Sequence, residues 1–181
     1  MAVLEVAKLG NPILRQIAEP VRPEESNDPG FQRCIDDMVE TMRKLDGVGL
    51  AAPQVSWSKQ IIVLASNHNP RYPAAPELPL MVLLNPKLVF QSEETIEGWE
   101  ACLSVKDLRG KVRRHAAVRV EAFDREMRLV AFEAEAFLAV VLQHEIDHLN
   151  GKVFLDRMTD FSTLTHMDEF DRFWLSDTAR V

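Results

Sequence analysis

The stretch QHEIDH at residues 143–148 does most to decide the interpretation of this sequence, because it combines a helical spacing with a metal-binding pattern. It lies within residues 135–150, the clearest predicted helix of the chain. On that helix, His144 and His148 lie one turn apart on the same face, where both imidazoles can bind one metal ion. Glu145 is placed beside them to accept a proton from a water that the metal activates. The pattern indicates a metal-dependent hydrolase.

The alternative explanation is a coincidental pair of surface histidines with a salt-bridging glutamate. The apolar side chains upstream, Phe137, Val140 and Val141, occupy the same side of the helix as the histidines. The two histidines therefore continue an apolar stripe rather than a solvated face, which favours metal binding.

A catalytic metal site needs a third protein ligand and an open position. Besides carboxylates, the candidates outside the helix are His68, His115, His166 and Cys102. Cys102 is preferred because it lies between predicted strands, where a rigid backbone could aim a thiolate at the helix. A small buried hydrophobic residue is the other interpretation of Cys102.

Length and composition predict a single domain, and the order of the predicted elements predicts the α+β class. The chain has 181 residues, of which 46% are hydrophobic and 27% charged, and its formal charge is −7. Helices and strands are mixed without regular βαβ alternation. The predicted elements are a short helical stretch opened by Pro12, a helix over 29–45 with Cys34 in its buried stripe, a strand over 60–65, a loop over 66–79, a strand over 80–90 interrupted at Asn85-Pro86, a hairpin within 112–133 turning near 124–126, the helix over 135–150 closed by Gly151, and a short helix over 168–174.

The same features restrict the partners and the compartment. A negative charge disfavours nucleic acid, and the local basic cluster of Arg109, Lys111, Arg113 and Arg114 has no aromatic residues interleaved. Two distant cysteines fit a reducing cytosol better than a disulfide framework. The N-terminus shows no signal or transit peptide, and no apolar run is long enough to span a membrane. We expect a soluble cytoplasmic protein.

Two further segments accompany the helical motif. GVGLAAPQ at residues 47–54 contains small residues that permit close approach of a ligand to the backbone, and Gln54 adds an amide donor for an oxyanion. EACLS at residues 100–104 contains Cys102. In this order and spacing, GVGLAAPQ, EACLS and QHEIDH resemble the three signature motifs of the peptide deformylase family. Supporting matches, GNPILR from Gly10 and FLDRM from Phe154, extend the resemblance over residues 3–160.

The resemblance implies short antiparallel or mixed sheets packed around a central helix that carries HExxH, in a single catalytic domain over residues 1–181 with 160–181 as a helical extension. It implies removal of the formyl group from the initiator methionine of nascent chains, with formate as a product. The implied roles are metal binding by Cys102, His144 and His148, general-base catalysis by Glu145, an oxyanion hole formed by Gln54 and the Leu103 N–H, and substrate binding by Val48, Gly49, Ala101, Arg109, Phe137 and Val141.

The resemblance also implies one divalent metal ion per chain, typically Fe(II) in cells, although zinc or nickel can occupy such ligands. The implied partners are formyl-Met nascent peptides, with transient ribosome contact. The sequence departs from the family pattern at Ala101, where glycine is common, and at Lys106 and Arg113, where proline is usual. The added methyl of Ala101 could crowd the peptide or stiffen the loop.

Two alternatives remain at this point. A zincin-type protease would use the same HExxH, but it leaves GVGLAAPQ and EACLS unexplained. A non-catalytic or substrate-shifted metal-binding relative would retain the fold, yet a structural site has no need of Gln54 or Glu145.

Overall fold

The computed structural model describes residues 1–67, 69 and 75–175. Within these residues, the chain forms two antiparallel sheets and three α-helices. This mixture confirms the predicted α+β class. In chain order the elements are α1 (Pro29–Lys44), β1 (Gly49–Ala51), β2 (Ile61–Ser66), β3 (Leu78–Gln91), β4 (Thr95–Cys102), β5 (Val105–His115), β6 (Ala117–Phe123), β7 (Leu129–Glu135), α2 (Ala136–Leu149), β8 (Thr165–His166) and α3 (Met167–Phe173).

The larger sheet has the strand order β1-β2-β3-β6-β7, and the smaller one has the order β4-β5-β8. Alternation along β2 gives the larger sheet two buried faces. Ile62 and Leu64 pack in the core on the α2 side, whereas Ile61 and Val63 pack in the core that includes α1. Because α2 also contacts β5, it lies between the two sheets and brings residues of both to one place.

The central position of α2 explains its sequence. Residues 141–149 are all buried, so this helix has no solvated face in its second half. A helix buried on all sides is expected to be apolar or to carry polar groups with a specific purpose. The predicted helix end is confirmed, since Gly151 follows it with a φ of +69°. A Cβ there would lie 2.6 Å from the Arg15 carbonyl oxygen.

The prediction for Cys34 is wrong. The helix over residues 29–45 is confirmed as α1, with Asp28 capping the Gly30 N–H at 2.9 Å, but Cys34 is exposed. The buried stripe is centred near Ile35 and Met38. At 3.6 residues per turn, Cys34 lies roughly 90° from the centre of that stripe.

The strand over residues 80–90 is longer and less broken than predicted. β3 continues through Asn85-Pro86, where its register with β6 shifts between Leu84 and Lys87. Asn85 adopts a φ of +51°, and its side chain accepts from the Val21 N–H at 2.7 Å and donates to the Val21 carbonyl at 2.8 Å. The break is therefore a bulge held by a distant residue.

The loop predicted over residues 66–79 is too long at both ends, because Ser66 belongs to β2 and β3 begins at Leu78, and its residues 68 and 70–74 lie outside the described part of the chain. The other element predictions hold. β6 and β7 form a hairpin, with Asp124 accepting from the Glu126 and Arg128 N–H groups at the turn. The predicted helix over 168–174 corresponds to α3. In the described part of the chain, none of the helices has the length and apolar character needed to cross a bilayer.

Candidate metal centre

Three side chains from two elements converge between the sheets. His144 and His148 on α2 have ring centroids 5.0 Å apart, and Cys102 at the end of β4 has its Sγ 3.2 Å from the Nε2 of His148. One ligand atom from each residue lies within 4.8 Å of the other two. Typical metal–sulfur and metal–nitrogen bonds in a tetrahedral site put ligand atoms roughly 3.3–3.6 Å apart. The donor set and its spacing therefore fit one metal ion.

The tight β4–β5 hairpin fixes the position of Cys102. The pairing runs along both strands to Cys102 opposite Val105, after a register shift at Ala101. The Cys102 sulfur accepts from the Ser104 N–H and from the Gln54 side-chain amide, each at 3.4 Å. Burial alone would raise the pKa of this thiol, but the nearby His148 and His144 outweigh burial and lower the pKa well below its usual value. The thiolate is the form that binds metal.

A carboxylate orients the first histidine. Glu100 accepts from Nδ1 of His144 at 2.8 Å, which leaves Nε2 of that ring for a metal. Burial would raise the pKa of Glu100, but His144 and Arg114 outweigh it and hold that pKa at about 2. Arg114 binds both carboxylate oxygens of Glu100, at 2.8 and 3.0 Å. The carboxylate is thus ionised and fixed in place.

The sequence did not predict that Arg114 supports the site by binding Glu100. The sequence groups Arg114 with the local basic cluster, but its side chain is only 5% exposed. It also donates to Asp147 on α2 at 2.6 Å, and Asp147 is bound in turn by Arg157. The available signal was the alternation along β5, which places Arg114 on the same buried face as Val112.

Glu145 lies directly against the backbone of β1. A Cβ built on Gly49 would lie 2.8 Å from both Cγ and Cδ of Glu145, so a side chain at this position would force the carboxylate to move. Burial raises the pKa of Glu145. Among the described residues, the Glu145 Oε2 and the His148 Nδ1 have no hydrogen-bond partner although both atoms are buried. The cluster thus keeps an unpartnered carboxylate oxygen beside its ligand atoms.

The candidate oxyanion donors lie at the same cluster. The Gln54 side chain is fixed because its Oε1 accepts from the Ala51 N–H at 2.8 Å. Its Nε2 donates to the Cys102 sulfur and, at 3.2 Å, to the Ser104 hydroxyl. Leu103 follows Cys102 directly, and its side chain lies 3.1 Å from the position of a Cβ on Gly47. The GVGLAAPQ and EACLS segments are therefore in contact.

The predicted substrate-binding residues fall into two groups. Val48, Phe137 and Val141 belong to one apolar cluster beside α2. Ala101 and Arg109 lie opposite each other on the β4–β5 hairpin, so their side chains share a face. That face is opposite to the one that carries Glu100 and Arg114.

The other candidate ligands and the two remaining departures from the family pattern lie elsewhere. His115 bonds to the Ser92 carbonyl through Nδ1, at 2.6 Å, and His166 is exposed on β8, while His68 lies outside the described residues. Lys106 and Arg113 are exposed, with side chains 74% and 66% accessible. The choice of Cys102 over the other candidates is thereby supported.

The cluster of Cys102, His144 and His148 differs from a structural zinc site, which is closed by four protein ligands. Among the described residues, the cluster provides three ligands, a buried carboxylate with an unpartnered oxygen, and a fixed amide donor. The fold and the site together define the class of metal-dependent hydrolases.

Comparison with known proteins places the chain within that class. The family model described as Polypeptide deformylase matches residues 3–163. Peptide deformylase 2 of Nostoc sp. is 46% identical over 164 residues, 90% of each chain, and the peptide deformylase of Leptospira biflexa is 41% identical over 172 residues, 94% of this chain and 96% of the relative. A Met-Ala-Ser-bound class I type b peptide deformylase from Acinetobacter baumannii has a TM-score of 0.84 at 44% identity, covering 87% of this chain and 99% of that one.

The chain belongs to the polypeptide deformylase family. Its homologues are enzymes that remove the N-formyl group from nascent polypeptides, and metal dependence is general in the family. This assignment overturns the zincin-type protease alternative.

Proposed function

We propose that this chain hydrolyses the N-formyl group of the initiator methionine of nascent polypeptides, releasing formate and a free α-amine. The observation that carries the proposal is the meeting of Cys102, His144 and His148 with Glu145 beside them. Family membership supports the same reaction.

In this proposal Cys102, His144 and His148 hold one divalent ion per chain, Fe(II) in cells, with zinc or nickel as substitutes. When bound, such an ion supplies Lewis acidity and lowers the pKa of water. Glu100 keeps the His144 ring in the tautomer that presents Nε2. The thiolate and two neutral imidazoles carry a single negative charge, which leaves the loaded site with a net charge of +1.

Glu145 is the proposed proton carrier. It takes a proton from the attacking water as the new C–O bond forms, and it later delivers that proton to the amine nitrogen as the C–N bond breaks. A carboxyl whose pKa is raised by burial suits a group that must both accept and return a proton. The Gln54 amide and the Leu103 N–H are the proposed donors to the oxyanion that develops on the formyl oxygen.

The substrate contacts follow from the position of β1 at the edge of its sheet. An extended peptide can pair with the backbone at Gly49, while the methionine side chain enters the apolar cluster of Val48, Phe137 and Val141. Ala101 lies against the peptide backbone, and Arg109 contacts the peptide further along. The Acinetobacter structure binds Met-Ala-Ser, a peptide that begins with methionine.

The proposed setting is the cytoplasm, where nascent formyl-Met chains are the partners and contact with the ribosome is transient. We propose that residues 1–181 act as one catalytic domain. The helical extension predicted over 160–181 contains the strand β8 as well as α3, and its residues 176–181 lie outside the described part of the chain.

Formate release from formyl-Met-Ala-Ser by anaerobically purified protein tests the proposal. Glu145→Gln keeps the shape of the side chain but removes the base, so it should retain metal and lose roughly 10²–10⁴-fold in activity. Glu133→Gln, on the exposed side of β7, is the matched control and should behave as wild type. Metal-loaded wild type that releases no formate would favour the non-catalytic alternative. Near-normal turnover by Glu145→Gln would refute the assigned base.

A further inference from the structure

The last described part of the chain, β8 and α3, packs beside the β4–β5 hairpin that carries Cys102. β8 pairs antiparallel with β5, with Thr165 opposite Arg109. α3 begins at Met167, directly after β8. The family model ends at residue 163, so β8 and α3 lie beyond the part of the chain that it matches. This C-terminal segment, residues 164–175, therefore adds a third strand and a helix beside Arg109.

Arg109 is held by two side chains of α3. Its Nε donates to the Met167 sulfur at 3.0 Å, and its Cζ lies 4.6 Å from the centroid of the Phe170 ring. A guanidinium over an aromatic face at this distance is a cation–π contact. Only 6% of Arg109 and 1% of Phe170 are exposed. Both contacts are made at the guanidinium end of the side chain, and only a small part of Arg109 remains accessible.

The Phe170 ring is itself fixed from the hairpin side. Trp99, on β4, meets it edge to face with centroids 5.0 Å apart, and Trp174 lies 5.6 Å from Trp99. Trp99 and Ala101 are two residues apart on β4, so they share the face that carries Arg109. Arg109 therefore contacts this packed aromatic group through Phe170, and it lies opposite Ala101, the residue that precedes Cys102.

We propose that Phe170 and Met167 are positioning residues that hold the Arg109 guanidinium in the orientation that binds the peptide beyond its first residues. The inference rests on the proposed function, in which Arg109 contacts that part of the substrate. A free arginine side chain loses rotamer freedom when it binds, whereas one already ordered by α3 loses little. The C-terminal segment thereby sets how much affinity the enzyme gains from a longer formyl-peptide.

The test compares formyl-Met-Ala with formyl-Met-Ala-Ser-Ser, using nickel-loaded full-length protein and formate release. Phe170→Leu should raise KM for the longer peptide roughly 2- to 10-fold, the factor expected from ordering one rotamer-rich side chain. It should leave kcat, and kcat/KM for the shorter peptide, close to wild type. Met167→Leu keeps the volume but removes the sulfur acceptor, and it should shift KM in the same direction by less.

Two controls separate positioning from a general effect on folding. Phe173→Leu, on the same helix with a 58% exposed ring, should leave both KM values unchanged. Arg109→Gln should raise KM for the longer peptide, and Phe170→Leu added to it should cause no further rise, because the two residues act as one unit.

The inference alone would be overturned by equal behaviour of Phe170→Leu and Phe173→Leu, by an equal loss with both peptides, or by additive effects of Phe170→Leu and Arg109→Gln. A KM that falls in Phe170→Leu would also overturn it, since the segment would then obstruct the substrate. Wild type that is inactive on both peptides would overturn the proposed function, and this inference with it.

Discussion

Replacement of Arg114 by methionine should be the most destabilising single change near the site that leaves the ligands intact. Arg114 is 5% exposed, and its partners Glu100 and Asp147 are 5% and 7% exposed. Removing one partner of a buried ion pair costs about 3–5 kcal/mol, because a charge remains buried without compensation. Methionine fills a comparable volume, so a cavity adds little.

The structure places this change at the lower end of that range. Asp147 keeps its ion pair with Arg157, and Glu100 keeps its bond to His144, so neither carboxylate loses every partner. We expect a loss of about 3 kcal/mol in the free energy of unfolding. For a chain of this length, each kcal/mol lowers Tm by about 2–4 °C, which gives a fall of roughly 6–12 °C.

The assay is calorimetric melting of wild type and variants at one fixed nickel concentration, since bound metal itself raises Tm. Arg113→Met is the matched control, because the neighbouring side chain is 66% exposed and pairs with Glu97 at 3.5 Å. An exposed pair of this kind contributes at most about 1 kcal/mol. Melting temperatures for Arg114→Met and Arg113→Met that agree within about 2 °C would refute the reasoning. A second readout is metal affinity, which should fall roughly 10- to 100-fold as Glu100 loses its anchor.

Three further outcomes are expected. Cobalt-substituted protein should show a thiolate charge-transfer band that Cys102→Ser abolishes, and a band that survives would place the third ligand elsewhere. Formyl-Met peptides should be preferred over formyl-Asp peptides, because Val48, Phe137 and Val141 offer a carboxylate no partner; equal kcat/KM values would contradict the apolar pocket. Ala101→Gly should lower KM for formyl-Met peptides if the methyl crowds the peptide backbone. Unchanged kinetics with slightly lower stability would mean that it only stiffens the chain, and a fall in kcat at constant KM would contradict both accounts.

Features that depend on neighbours along the chain were determined by the sequence. The four-residue spacing of His144 and His148 places them on one helix face in any α-helix. The period of 3.6 residues located α1 and α2, and Gly151 marked the helix end by its tolerance of positive φ. The order of the three motifs indicated the family, which the comparisons confirmed.

Features that depend on contacts between distant segments were decided only by the tertiary structure. The sequence already favours Cys102 over His115 and His166, but the approach of its sulfur to His148 depends on the β4–β5 hairpin, whose register no local pattern fixes. The burial of Arg114 requires Glu100 from β4 and Asp147 from α2, so a residue that resembled a surface charge became part of the support of the site.

The exposure of Cys34 and the contacts of Arg109 have the same origin. The spacing of apolar residues predicts which residues of a helix share a face. Which residues at the margin of that face are buried depends on the segments that pack against it. Arg109 and Phe170 are 61 residues apart, and only the pairing of β8 with β5 brings them together. Local propensity therefore determined the elements and the chemistry of α2, whereas packing of the two sheets around α2 brought Cys102 to the two histidines and determined the buried ion pairs and the surroundings of Arg109.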